Sequence, residues 1–332
     1  MKSSALLALG LAALALPARA NDTTAVMAAG GLVFTRTKAV SMVSEDLFIS
    51  ASEVRVKYRF LNRTAKEVTV QVAFPMPDVE SSESPQGIPT EDPTNIMGFA
   101  TMTDGRPVAA QVEQKAFLGK VDHTARLLAL GLPLAPHLQT TERALDRLTP
   151  AQKADLLKRG LVSEQSWDAG KGVETHYLPT WTLKSAYHWQ QTFPAGREIT
   201  VDHRYSPGTG GSAGTQIGDA SLMSTKWGRA DVARYCVDSK LIAAVRKTMG
   251  PGVEYPPFYE QRVGYILKTG ANWAGPIGDF RLTVDKGAPE NLVSFCAEGV
   301  QKVSPTRFEV RKSQFVPRQD LDILILLPIP KS

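Results

Sequence analysis

Most of the residue patterns that mark an enzyme are missing from this chain. Of its 332 residues, only two are cysteine and five are histidine. Cys236 and Cys296 form no Cys-x-x-Cys pair and have no His or Lys beside them, which excludes the common redox and activated-thiol arrangements. His123, His137, His176, His188 and His203 fall in no His-x-x-x-His or Cys/His spacing, so no metal ligands are expected. The one glycine cluster, Gly208-Thr209-Gly210-Gly211-Ser212-Ala213-Gly214, lacks both the Lys and the following helix of a phosphate loop. No cofactor is expected, and no residue is nominated as catalytic.

Long runs of one character are also scarce. Lys and Arg number 38 against 33 Asp and Glu, a net charge of +5, and they are scattered along the chain. A scattered, mild excess describes a solvated surface, so no nucleic-acid partner is expected. Ala5 to Leu16 and the strongly apolar Leu321 to Leu327 are both too short to cross a bilayer. No transmembrane anchor is expected.

What the first residues do carry is an export pattern. Lys2 supplies a positive start, Ala5 to Leu16 an apolar stretch, Pro17 a break, and Ala18-Arg19-Ala20 a small-x-small cleavage site. The expectation is a signal peptide over 1–20, cleavage after Ala20, and a periplasmic product beginning at Asn21.

The rest of the chain is patterned mainly for strands. Val54, Val56, Tyr58 and Phe60 alternate with Arg55, Lys57 and Arg59. After a polar break come Val68, Val70, Val72 and Phe74. A period of two sends apolar side chains to one face of a sheet. Asp104-Gly105 marks a tight hairpin turn within 95–117. Later, Trp181 to Phe193 leads through Pro194-Ala195-Gly196 to the alternating Ile199, Val201, His203 and Tyr205. These segments predict an antiparallel β-sandwich built from 21–123 and 176–207.

A helical insertion is expected at 124–175. Thr149-Pro150-Ala151-Gln152 supplies a capping hydroxyl, an N1 proline and a reciprocal Gln, and Gly160 supplies the stop. Its leucines suit helices laid across the sandwich, with a lid or docking arm as the sharper alternative. The glycine cluster at 208–215 is expected to be a flexible link. Beyond it, 216–332 is predicted as a second β-rich domain with one helix, Lys240 to Met249.

An even cysteine count in an exported chain predicts a Cys236–Cys296 disulfide. Asp202 and His203 point to opposite faces of their strand, which argues against a hydrolase built with Ser206. The aromatic residues leave one binding hint. Tyr255, Phe258 and Tyr259 surround Pro256-Pro257, and Trp273 lies in a Gly/Pro turn, so these four are the candidate binding residues.

Several motifs carry a resemblance over most of the chain. Asn21-Asp22-Thr23-Thr24-Ala25, Gly30-Gly31-Leu32, Ser44 to Ser50, Val72 to Asp78, and Asn272-Trp273 with Gly275-Pro276-Ile277 are similar to a family of exported Gram-negative proteins, a domain of unknown function. That resemblance implies export and brings no activity. The strand ending at Asn62, Phe74-Pro75-Met76-Pro77, Asp104-Gly105-Arg106 and Lys115-Ala116 also resemble the vault/inter-alpha-trypsin β-sandwich domain, although no Asp-x-Ser-x-Ser adhesion motif follows. The expected function is a non-catalytic binding or scaffolding module for an envelope protein or cell-wall polymer. The rival is an extracytoplasmic hydrolase or carbohydrate-processing enzyme.

Overall fold

A computed structural model describes residues 21–28, 31–80, 87–168, 170, 172–250 and 255–330. The expected leader, Gly30, Pro251 and positions 81–86 lie outside these.

Alternation builds the largest sheet. In the strand Val54–Asn62, Val54, Val56, Tyr58 and Phe60 are buried while the residues between them face solvent. This strand is the fifth of eight, ordered Gln301–Lys302, Arg307–Phe315, Ile277–Asp285, Val40–Ile49, Val54–Asn62, Glu198–Tyr205, Ala100–Thr103 and Arg106–Val108. The neighbours are antiparallel except Val40–Ile49 and Ile277–Asp285, which run parallel with Leu47 opposite Leu282. Parallel neighbours require a crossover. Here the crossover contains most of the protein.

A six-stranded sheet faces the first, ordered Gly31–Thr35, Thr23–Ala28, Val68–Pro75, Thr182–Phe193, Gln111–Leu118 and Val121–Asp122. Phe60 meets Phe193 edge-on at 5.8 Å, and Phe74 meets His203 at 4.9 Å, so the two apolar faces interlock. The polar break after Asn62 and the Pro194-Ala195-Gly196 turn both carry the chain from one sheet to the other. They are tied together: Asn62 Nδ2 donates to the Phe193 carbonyl at 2.8 Å, and the Gly196 N–H donates to the Asn62 carbonyl at 3.1 Å. Asp104 and Gly105 take φ of 47° and 74°, the left-handed pair that a two-residue hairpin turn needs.

The insertion holds three helices, Thr124–Ala129, Gln139–Asp146 and Pro150–Lys158, the last with the Thr149/Gln152 capping box in place. Leu127, Leu145 and Leu156 are buried in the same core as the sandwich. The Trp181 indole, fully buried, donates to the Leu134 carbonyl at 2.8 Å and pins the insertion down. Its final part departs from expectation. Val162–Asp168 and Val173–Pro179 form a separate two-stranded hairpin.

The expected division at 208–215 does not separate the sheets. Ile277–Asp285 and Arg307–Phe315 belong to the large sheet with the first half of the chain. Thr209–Ser212, expected as a flexible link, is a strand at the edge of a four-stranded sheet completed by Phe258–Tyr265, Leu321–Pro328 and Leu292–Phe295. Its glycines serve close approach: a Cβ at Gly211 would stand 2.9 Å from the Glu260 carbonyl oxygen. Leu321–Pro328 explains the shared core. Leu321, Ile323 and Ile325 face the main core, whereas Leu324 and Leu326 face a second cluster with Tyr235, Leu241 and Val245. A strand buried on both faces shows continuous hydrophobicity, with no alternation to reveal its two sides.

The helices beside this second cluster include Ser239–Lys247, the helix expected at Lys240 to Met249, capped by Asp238, and Lys226–Arg234, which was not anticipated. Cys236 and Cys296 are disulfide-bonded across 60 residues, joining the end of that second helix to the strand Leu292–Phe295.

Two stability measurements check this packing. Serine at both cysteines should cost about 4 kcal/mol in urea unfolding, the loop-closure contribution for a bridge of this span. Trp181→Ala should cost roughly 3–5 kcal/mol. If its loss stayed below about 1 kcal/mol, the indole could not be anchoring the insertion.

Candidate functional site

The four nominated aromatic residues do not form one surface. Tyr255 and Tyr259 are exposed. Phe258 is buried in the second cluster, because strand alternation turns it opposite to Tyr259. Trp273 is buried as well, packed 4.4 Å from Phe60, with its indole donating to the Asp22 carbonyl at 2.6 Å.

The histidines are dispersed in the same way. His176 stands 3.0 Å from Asp146 Oδ2 and stacks on Trp167. His188 meets the Gln71 side chain at 2.9 Å. Asp202 points away from His203 and lies 3.7 Å from Lys57. The partner of His203 is Asp22, whose Oδ1 is 2.9 Å from His203 Nε2, and both side chains are fully buried.

That pair belongs to a polar cluster inside an otherwise apolar core. The Asn21 side-chain amide donates to Glu45 Oε2 at 3.1 Å, and its Oδ1 accepts from the Tyr58 hydroxyl at 2.5 Å. Tyr58 and Tyr265 hydroxyls are 3.1 Å apart. The Asn21 carbonyl accepts from Thr269 Oγ1 at 2.7 Å. Burial pushes the Glu45 carboxyl up to about 8, and Asp22 adds to this, while the Asn21 amide and neighbouring Tyr265 hydroxyl pull the other way. Burial also raises Asp22, against the opposing pull of His203. Tyr58 and Tyr265 are held well above the usual phenol range, first by burial. Sealed groups of this kind cannot reach a substrate. They hold the core together.

The open site lies elsewhere. A cleft of about 540 Å³ is lined by Val43, Arg63, Pro276, Asp279, Ser313 and Gln314, among others, a volume suited to a small ligand or a polymer segment. Three backbone irregularities shape it. The pairing of Val40–Ile49 slips between Met42 and Ser44, leaving Val43 as a bulge. A Cβ at Gly278 would collide with the Val43 carbonyl. Gln314 takes φ of 48°, a left-handed conformation uncommon outside glycine. Bulges and strained residues gather beside functional sites. Arg63 Nε donates to Ser41 Oγ at 2.9 Å, which orients a cation at the cleft. No histidine lines it. A smaller cavity of about 140 Å³, lined by Asn95, Phe99, Val108 and Tyr187, is likewise without histidine. Among the described residues, no group of three or more His, Cys, Asp or Glu is placed to hold a metal ion.

Residues 20–324 match the family described as "Domain of unknown function (DUF4424)". The chain belongs to this family. A search of curated proteins finds no match. Among solved structures, it is similar to a Legionella pneumophila protein described as a "putative nutrient binding protein", at 16% identity, with 92% of this chain and 70% of that one covered and a TM-score of 0.43. A likeness at that level carries no argument about ligand. The segments that resemble the family meet in space: Asn21 and Asp22 contact Glu45 and Trp273, and Asn272 Nδ2 donates to Thr23 Oγ1 at 2.9 Å.

Sequence reasoning missed both the polar cluster and the cleft. Asp22 and His203 are 181 positions apart, a separation that no spacing rule connects. Gly278, inside a strand, is a signal of close backbone approach that could have pointed to the cleft, but it does not say to which strand.

The buried carboxyl makes a pH test. In a chain with residue 20 still in peptide linkage, Glu45 keeps its proton to about pH 8, whereas the unfolded carboxyl loses it near the ordinary value of 4.5. Between those limits the unfolded state binds fewer protons, so stability falls as pH rises, by up to about 1.4 kcal/mol per pH unit. Asp22, raised as well, acts in the same direction. Urea unfolding at about pH 5 and about pH 8 should show this loss, and Glu45→Gln should flatten the profile. A wild-type profile that is already flat would contradict the assignment.

Proposed function

We propose that this protein is an exported, periplasmic, non-catalytic binding or scaffolding module whose partner is an envelope protein or cell-wall polymer. The observation that carries this reading is a separation. The only described histidine–carboxylate pair that is fully buried, His203 with Asp22, is sealed in the core. The open cleft offers Arg63, Asp279, Ser313 and apolar surface without a histidine. Nucleophilic or acid–base catalysis needs such groups to converge on a reachable atom. Recognition needs only a shaped surface with a few oriented polar groups.

Export is supported by the leader pattern at 1–20 and by the compartment in which a disulfide such as Cys236–Cys296 persists. No described helix is long and apolar enough to cross a membrane. Tyr255 and Tyr259 add exposed aromatic surface of the kind used to hold peptides and sugars.

The test is cross-linking of a tagged full chain in intact cells, followed by mass spectrometry of what the periplasmic fraction yields. A reproducible envelope protein or cell-wall fragment is expected. Its capture should fall roughly 10-fold or more with Arg63→Ala, or with Tyr255→Ala and Tyr259→Ala together, at unchanged stability. Hydrolysis of an ester or glycoside substrate that disappears with His203→Ala, in a variant that still folds, would sink this proposal in favour of the hydrolase.

A further inference from the structure

The polar cluster is short of a cation. Asp22 and Glu45 bring two carboxyl groups into a sealed site, and among the described residues the one basic side chain bonded to either is His203. Asp22 Oδ2 and Glu45 Oε1 are buried with no hydrogen-bond partner among the described residues. Buried atoms of this kind are uncommon and each asks for a physical explanation, a partner absent from the intact chain being one. Around them stand Tyr58, Tyr265 and Tyr205, none of which carries positive charge. Asn21, the residue directly before Asp22, is itself fully buried. Its side chain donates to Glu45, and Gly270 is packed so tightly against it that a Cβ there would lie 2.6 Å from Asn21 Nδ2.

The leader pattern places its cleavage point at the bond before this residue. Hydrolysis of the Ala20–Asn21 amide by a leader peptidase consumes one water. It leaves a carboxylate on the departing segment and, on Asn21, an amine that is protonated at neutral pH. We propose that this α-ammonium is the missing partner: leader removal creates a cation on Asn21 that docks inside the core against the Glu45 and Asp22 carboxylates, so that processing completes the fold. The inference rests on the export reading above. It goes beyond that reading in assigning the new amino terminus a fixed, buried, charge-paired place.

With the bond intact, Asn21 has a neutral amide nitrogen, and Glu45 avoids an unpaired buried charge by holding its proton. With the bond cut, the ammonium makes the ionised carboxylate favourable. Proteolysis thereby supplies a pair whose loss inside a core is strongly destabilising.

The experiment compares two otherwise identical chains released from a cleavable fusion, one beginning at Asn21 and one beginning at Ala20. The Asn21 form should show a folding equilibrium constant roughly 100-fold larger in urea unfolding near pH 7. Glu45→Gln in both forms should remove most of that difference. In the unmutated Asn21 form, the α-amine should resist acylation while the protein is native and react once it is unfolded. Equal stabilities of the two forms, or a native α-amine as reactive as that of a short peptide, would overturn the proposal. Intact mass of material recovered from exporting cells separately reports whether the natural chain begins at Asn21. A different start would defeat the export reading at this junction, whereas the two released chains test the docking regardless of it.

Discussion

The polar cluster around Asn21, Asp22, Glu45, Tyr58 and His203 is the interaction on which the rest of the structure depends. Placing two carboxyl groups in a core is costly unless their bonds are met. His203 and the Asn21 amide bond the carboxyl groups directly, and the residues that complete the cluster come from distant parts of the chain: Tyr58, which donates to Asn21 Oδ1, and His203 from adjacent strands of the large sheet, Tyr265 from the four-stranded sheet, and Thr269 and Trp273, which donate to the Asn21 and Asp22 carbonyls, from the turn after it. An apolar core of the same volume would tolerate small slips between sheets. This one does not, because each partner is specific in direction as well as distance.

That constraint ties the two halves of the chain together. The parallel pairing of Val40–Ile49 with Ile277–Asp285 closes a crossover of more than two hundred residues, a contact with a large loop-closure cost. The cluster and the strand Leu321–Pro328, apolar on both faces, offset it from the inside. The disulfide acts on the far side, holding the helical cover to the Leu292–Phe295 strand. The open cleft lies apart from this sealed cluster. The cleft beside the Val43 bulge is built on rigid strands, and rigidity of the frame is what allows a few polar groups to be held in a fixed arrangement.

How much of this the sequence revealed varied with the range of the interaction. Strand alternation from Val54 to Phe60, the Asp104-Gly105 turn and the Thr149/Gln152 capping box are each set within a few residues, and all are found where the local pattern placed them. The four binding candidates were half visible. Proline and aromatic composition marked the 255–259 region as surface, but alternation beginning at Phe258 buried one of its rings. Trp273, nominated for binding because it lies in a Gly/Pro turn, is instead a buried anchor bonded to the Asp22 carbonyl. The glycine cluster was misread because close strand packing and flexibility ask for the same residue. The domain division failed because strands in one half pair with strands in the other, and pairing partners leave no local trace.

Local signals along the chain were enough to establish that the protein is mainly β, that helices interrupt it, that its two cysteines pair, and which family it resembles, since each follows from a short-range periodicity, a cap, a count or an ordered set of motifs. Tertiary structure alone decided that Asp22 reaches His203, that Asn21 and Glu45 share a sealed site, and that Val43, Gly278 and Gln314 shape one cleft. Those juxtapositions join residues tens to hundreds of positions apart, and only the packing of whole sheets selects them.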